Sequence, residues 1–253
     1  MKLRCIPEVA DVPPDEVHVW RIPLEGAGAS DLPTARLLST DERARADRFH
    51  AEADGRRYAV GRGALRTILG RYLGLPPERL EFRYGPRGKP ALAGEIVSSA
   101  PRFNLAHSRD LALLAVTGGR EVGVDVEVVR PIPDADRLVA RYFSAREGAE
   151  YAALSGPEKL GAFFRGWTRK EAYIKATGDG LSMPLNRFDV SLAAGPILLR
   201  VAGRLEEASR WALQDLEPGP GFAAAVAVEG SGWTLRNFEF DLDPPFCGRE
   251  VPA

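Results

Sequence analysis

Between Val122 and Val129 the chain alternates strictly. Val122, Val124, Val126 and Val128 fall on one face of an extended strand, and Gly123, Asp125, Glu127 and Val129 on the other. The valine face belongs in a core. The opposite face sets two carboxylates two residues apart, behind a glycine. Elsewhere the pattern predicts an early strand at 17–22 ("VHVWRI") and a helical stretch from Thr40 to Leu73, broken near Asp54-Gly55. Ser39 followed three residues later by Glu42 predicts a capping box at its start. "RFNLAHSRDLALLAV" reads as a short strand, a polar loop and a second strand, and "TGGR" at 117–120 as a tight turn joining it to "EVGVDVEVV" in a β-hairpin. "SARE" and "SGPE" open two helices, the second stopped at Gly178. Five strand-like stretches follow: "FDVSL", "PILLRVA", "WALQDL", "FAAAVAV" and "WTLRNFEF".

The predicted fold class is α+β, in two similar halves that each carry a long helix followed by apolar strands. The boundary falls near Gly118, giving an N-terminal half over 1–118 and a C-terminal half over 119–253. No literal sequence repeat relates them.

The 253 residues are 45% hydrophobic and 27% charged, an ordinary globular composition. A formal net charge of −1 means that any basic site is local. The two cysteines, Cys5 and Cys247, argue against a cysteine-based metal site. The N-terminus has no apolar signal region, and the longest apolar runs are strand-sized. These features predict a soluble, cytoplasmic chain with no membrane partner.

Four groupings could carry chemistry. On a strand, Asp125 and Glu127 have α-carbons about 6.5–7 Å apart and can converge on one hard cation such as Mg²⁺. Gly123 beside them would let a ligand approach closely. By itself the same face reads more readily as solvated carboxylates on an antiparallel sheet. On the helix "FFRGWTRKEAYIK", Phe163, Trp167, Lys170, Glu171 and Lys175 lie near one stripe, so an aromatic face passes into Lys, Glu and Lys. That stripe also reads as a Glu171–Lys175 surface pair. His107, followed by Ser108, sits beside apolar strands where it could contact phosphate or move a proton. The arginine-rich stretch (Arg43, Arg45, Arg48, Arg56, Arg57, Arg62, Arg66, Arg71) could hold phosphate, though interspersed acids make part of it a solvated face. It also leaves open a nucleic-acid-binding module, against which the near-zero net charge stands. There is no Walker A loop and no G-x-G-x-x-G, so phosphates would be held by side chains.

Taken together, "FNLAHSRD", "GVDVE" and "WTRKEAYIK", in this order, resemble the motifs of the 4′-phosphopantetheinyl transferases, specifically the monomeric surfactin-synthetase-activating type. "GPRGKPAL", the arginine-rich stretch and "TGDGLSMPL" extend the likeness over about residues 36–190. The resemblance implies two α+β halves related by a pseudo-twofold, each with a small antiparallel sheet and a long helix, with coenzyme A in the cleft. It implies transfer of the 4′-phosphopantetheine arm of coenzyme A to a serine of acyl or peptidyl carrier proteins of fatty-acid, polyketide or nonribosomal peptide synthesis, releasing adenosine 3′,5′-bisphosphate. By motif match, Asp125, Glu127 and Glu171 would ligate Mg²⁺, or Mn²⁺ in its place, and Lys170 and Lys175 would lie near the phosphates. His107 and Ser108 would meet a coenzyme A phosphate, Arg45 and Arg57 the 3′-phosphate, and Lys89 the adenine-nucleotide end. Glu147 matches an acidic position proposed as general base, with Glu171 as rival; Ser144 and Glu147 also form a capping box. Two positions depart from relatives: Glu42-Arg43 stands where some have lysine then arginine, and Arg109 where glycine is common. The expected partners are coenzyme A and carrier proteins, with no nucleic acid, and the expected state is a monomer. A relative that binds carriers without transferring is the remaining alternative, and the presence of all three carboxylates argues against it.

Overall fold

The computed structural model describes residues 11–26, 29, 32–93, 100–178, 183–193, 195, 198–201, 206–240 and 248–251. Both cysteines lie outside these residues, as does part of "TGDGLSMPL". The chain divides into two compact units, one formed by 1–84, 90–119 and 234–253, the other by 85–89 and 120–233. The seam after Gly119 lies beside the expected boundary, but the last strands return to the first unit, so a C-terminal half running unbroken from 119 to 253 is not what the chain builds.

The first unit carries a five-stranded sheet in the order β12-β11-β1-β5-β4. Its strands are β1 (Glu16–Pro23), β4 (Arg102–Ser108), β5 (Leu111–Thr117), β11 (Thr234–Phe240) and β12 (Gly248–Val251). β1 pairs in parallel with β11 and antiparallel with β5, so this sheet is mixed rather than wholly antiparallel. A two-stranded ribbon joins β2 (Phe82–Tyr84) to β3 (Pro90–Leu92). After α1 (Thr34–Leu37) come α2 (Thr40–Ala46) and the 22-residue α3 (Glu52–Leu73). The break between the last two falls at 47–51, ahead of the expected Asp54-Gly55. Ser39 and Glu42 form the predicted capping box, and Gly74 ends α3 in the left-handed region at φ 62°. Trp20, Ile22, Leu65, Ile68, Leu69 and Leu114 meet in the core. Each fully buried large aliphatic there contributes about 1.5–3 kcal/mol.

Two members of the arginine-rich stretch, Arg62 and Arg66, are put to structural use. Glu42 is buried, its Oε1 accepting from Arg62 Nε at 2.8 Å and its Oε2 from Arg66 Nε at 2.7 Å and from the Ser39 amide at 3.0 Å. Arg66 also donates to the Leu80 and Pro77 carbonyls, and both guanidiniums lie over the Phe82 ring. Burial alone would raise the Glu42 carboxyl, but Arg62 and Arg66 outweigh it and hold the group below the usual glutamate range. Arg62 and Arg66 are thus turned inward and do not belong to a solvent-facing basic stripe.

The second unit packs the 22-residue α6 (Gly156–Thr177) on a three-stranded antiparallel sheet ordered β6-β10-β9. Its strands are β6 (Val122–Val128), β9 (Trp211–Leu216) and β10 (Phe222–Glu229). The short helices α4 (Ala135–Tyr142) and α5 (Ala145–Ala152) precede α6, where the pattern predicted only the second. β7 (Phe188–Val190) and β8 (Leu198–Val201) make a small ribbon. Both predicted helix starts are capping boxes, Ser144–Glu147 and Ser155–Glu158, and Gly178 stops α6 at φ 74°. The expected hairpin from β5 into β6 does not form, because β5 pairs with β1 and β4 while β6 pairs with β10. Among the described residues no helix is long and apolar enough to cross a membrane.

Candidate functional site

The face of β6 that carries the acids is the one on which α6 lies. Register pairs Gly123 with Ala227 and Asp125 with Ala225, and both alanines belong to the core formed with Ala172, Tyr173 and Ala176 of α6. Gly123 is required by this packing: a Cβ there would stand 2.2 Å from the Ala172 carbonyl oxygen and 2.3 Å from the Ala176 nitrogen. The glycine therefore seats a helix rather than a ligand, contrary to the sequence expectation. Val122, Val124 and Val126 on the opposite face are buried, as predicted.

With the helix backbone this close, Asp125 and Glu127 on the strand meet Glu171 and Lys175, one turn apart on α6. The Lys175 ammonium donates to Asp125 Oδ1 at 2.5 Å. Asp125 is buried, and its Oδ2 has no hydrogen-bond partner. Burial pushes the Asp125 carboxyl up to about 7, with Lys175 opposing and the charges of Glu127 and Glu171 adding to the rise. Burial likewise raises the Glu171 carboxyl, against Lys175 and with Glu127. Three carboxylates against one ammonium leave an excess of negative charge in a half-buried place. A buried carboxylate oxygen without a donor, flanked by two further carboxylates, is the donor chemistry of a hard divalent cation. Among the described residues, no three His, Cys, Asp or Glu side chains are drawn together tightly enough to hold a metal as they stand.

Lys89, at the tip between β2 and β3, donates to the Val122 carbonyl at 3.1 Å and the Ala176 carbonyl at 3.3 Å and pairs with Glu121. It thus ties the start of β6 to the last turn of α6.

Lys170 and Glu147 do not join this cluster. Neighbours on a helix point about 100° apart, so Lys170 and Glu171 cannot share one stripe. Lys170 is fully buried, its ammonium 2.8 Å from Glu147 Oε2, and Glu147 is fully buried as well. A phosphate-binding Lys170 and a proton-accepting Glu147 both require access that these positions lack. Trp167 stacks on Phe163 and meets Tyr142 edge-on, so the aromatic part of the stripe is packing.

The remaining predicted residues lie in the first unit. His107 and Ser108 are the last residues of β4, opposite Ala112 and Leu111, not members of a polar loop. The two-residue turn after them holds Arg109 at φ 52°, a conformation that glycine takes without strain. Exposed Arg45 lies with its guanidinium 5.3 Å from the Tyr58 ring centre, and Arg57 pairs with Glu25 and Asp54, each at 2.7 Å.

The two units thus define an α+β protein with a carboxylate-lysine cluster suited to a divalent cation and an accompanying anionic group. Residues 121–227 match the 4′-phosphopantetheinyl transferase superfamily, and residues 30–118 match the N-terminal region of 4′-phosphopantetheinyl transferases. A 4′-phosphopantetheinyl transferase of Nostoc sp. is 44% identical over 226 residues, covering 89% of this chain and 93% of that protein. Another from Bacillus pumilus is 35% identical over 159 residues, covering 62% of this chain and 65% of that one. The solved holo-[acyl-carrier-protein] synthase of Thermotoga maritima matches 53% of this chain and 85% of its own, at 16% identity and a TM-score of 0.33. The chain belongs to the 4′-phosphopantetheinyl transferase superfamily, of the surfactin-synthetase-activating type.

Proposed function

We propose that this chain transfers the phosphopantetheine arm of coenzyme A to a serine hydroxyl on acyl or peptidyl carrier proteins. Family membership supports the reaction class, and the convergence of Asp125, Glu127, Glu171 and Lys175 on one face supports the chemistry. The serine Oγ–phosphorus bond forms at the β-phosphate as the bond to the bridging oxygen breaks, and adenosine 3′,5′-bisphosphate leaves. Asp125, Glu127 and Glu171 would hold Mg²⁺, or Mn²⁺, which when bound supplies charge neutralisation to the pyrophosphate. Lys175 adds a fixed ammonium beside the charge that grows on the leaving group. Glu171 is only partly buried, and an oxygen not engaged with the cation would accept the serine proton. The nucleophile comes with the carrier, so positioning carries much of the rate.

His107 and Ser108 would meet a coenzyme A phosphate, Arg45 and Arg57 its 3′-phosphate, and Lys89 its nucleotide end. Lys170 and Glu147 are withdrawn from these roles by their burial. Replacing Arg45 with alanine should raise KM for coenzyme A about tenfold, the worth of one charge-assisted hydrogen bond. The same variant should show an unchanged KM with the 3′-dephospho analogue; an equal rise with both substrates removes the 3′-phosphate assignment. The activity itself is tested by incubating the chain with coenzyme A, Mg²⁺ and apo carriers of fatty-acid, polyketide and peptide synthesis. A phosphopantetheine mass gain on a carrier serine is expected, and no gain on any carrier rejects the proposal.

A further inference from the structure

Lys170 and Glu147 spend every polar group they have inside the second unit. The Lys170 ammonium has three donors. They are taken by Glu147 Oε2 at 2.8 Å and by the Leu185 and Phe188 carbonyls at 2.7 Å each. Glu147 Oε2 also accepts the Ser144 amide at 2.7 Å, and its Oε1 the Val190 amide at 2.7 Å. The Phe188 ring lies over the ammonium at 4.3 Å. One ion pair therefore ties the middle of α6 to the start of α5, to the turn Leu185–Arg187 and to both ends of β7.

The next residue on α6 is Glu171, and Lys175 follows one turn later. A helix is stiff about its own axis, so anchoring Lys170 on one side sets where Glu171 and Lys175 point on the other. We infer that Lys170 and Glu147 are positioning residues. Their buried pair fixes the rotation of α6 so that Glu171 and Lys175 face Asp125, and neither residue handles a proton or a phosphate. The inference rests on the proposed function in taking that cluster as the reacting centre. Arg169 supports the same end of the helix from another side, donating to Asp215 and to the Ser191 and Ala193 carbonyls.

The test is the double variant Glu147→Gln with Lys170→Met, which removes both charges and leaves neither unpaired. With coenzyme A and an apo carrier, kcat should fall on the order of tenfold to hundredfold, the effect of a small misplacement of reacting groups. KM for coenzyme A should stay at the wild-type value, and the pH–rate profile should keep both limbs. Amide hydrogen exchange, read on the chain alone, should rise over Glu171–Thr177 and at Val190 while residues 160–165 stay unchanged. Unchanged exchange over Glu171–Thr177 overturns the inference. So does a lost limb of the pH profile, which would make Glu147 a base, or a tenfold rise in KM, which would put Lys170 on phosphate. An unaltered kcat reduces the pair to a structural one and overturns it as well. A wild-type chain that modifies no carrier sinks the proposed function, and the exchange result then decides the pair by itself. Should the double variant not fold, Glu147→Asp, which keeps both charges and shortens the tether, is read by the same measurements.

Discussion

Asp125→Ala lowers the transfer rate on the order of 10²–10³-fold, with the fold retained, when assayed at saturating coenzyme A and Mg²⁺. The side chain is buried and its Oδ2 lacks a donor, so its own placement is unfavourable unless a cation completes it. Removing it relieves that strain on the protein while taking away the central member of the cluster. Thermal stability should therefore hold or rise as activity falls. Glu171→Ala should lose activity to a similar degree, and the two losses should not add, because both residues serve one centre. Turnover near the wild-type level in both variants would defeat the cation assignment.

Glu42→Ala should cost about 3–5 kcal/mol of stability, measured by urea unfolding. The substitution leaves Arg62 and Arg66 buried without their shared carboxylate and removes the cap of α2 at the same time. A change below about 1 kcal/mol, the worth of an exposed pair, would show that the triad is not the anchor described. The pH dependence has a definite sign. The folded chain holds Glu42 below its unfolded value of about 4.3, so its contribution is complete above that pH and is lost as the pH falls through the folded value. The alanine variant should accordingly lose less stability than the wild type on acidification below about pH 4.

Local chemistry was the most legible part of the sequence. Capping boxes at Ser39, Ser144 and Ser155 and the stop at Gly178 could be read because each depends on residues within a few positions. The valine alternation of β6 was legible for the same reason, and with it the convergence of Asp125 and Glu127 on one face. What covers that face was not legible, because a glycine admits a ligand or a helix with equal ease, and at Gly123 only the packed helix decides. Lys170 and Glu171 fall on one stripe only if the i+3 and i+4 neighbours of Trp167 are equivalent, and around a helix they diverge. The role of Glu42 beyond its capping box was not legible, since the two arginines that claim it lie 20 and 24 residues away. The false hairpin at Thr117–Arg120 came from a turn signal that is real, with Gly119 at φ 129°, but that separates two units instead of joining two strands.

The parallel pairing of β1 with β11 also orders events during synthesis. Glu16 meets Thr234, so one edge of β1 stays without its partner while the ribosome makes the whole of the second unit. The second unit, apart from Gly85–Lys89, is a continuous stretch and can close as soon as Trp233 has emerged. The first must wait for Thr234–Phe240, and until then the exposed edge of Val17–Arg21 is a strand template open to other nascent chains. A nascent chain truncated after Trp233 and carried on a linker long enough to clear the exit tunnel should therefore hold a protease-resistant second unit and a first unit that depends on chaperones.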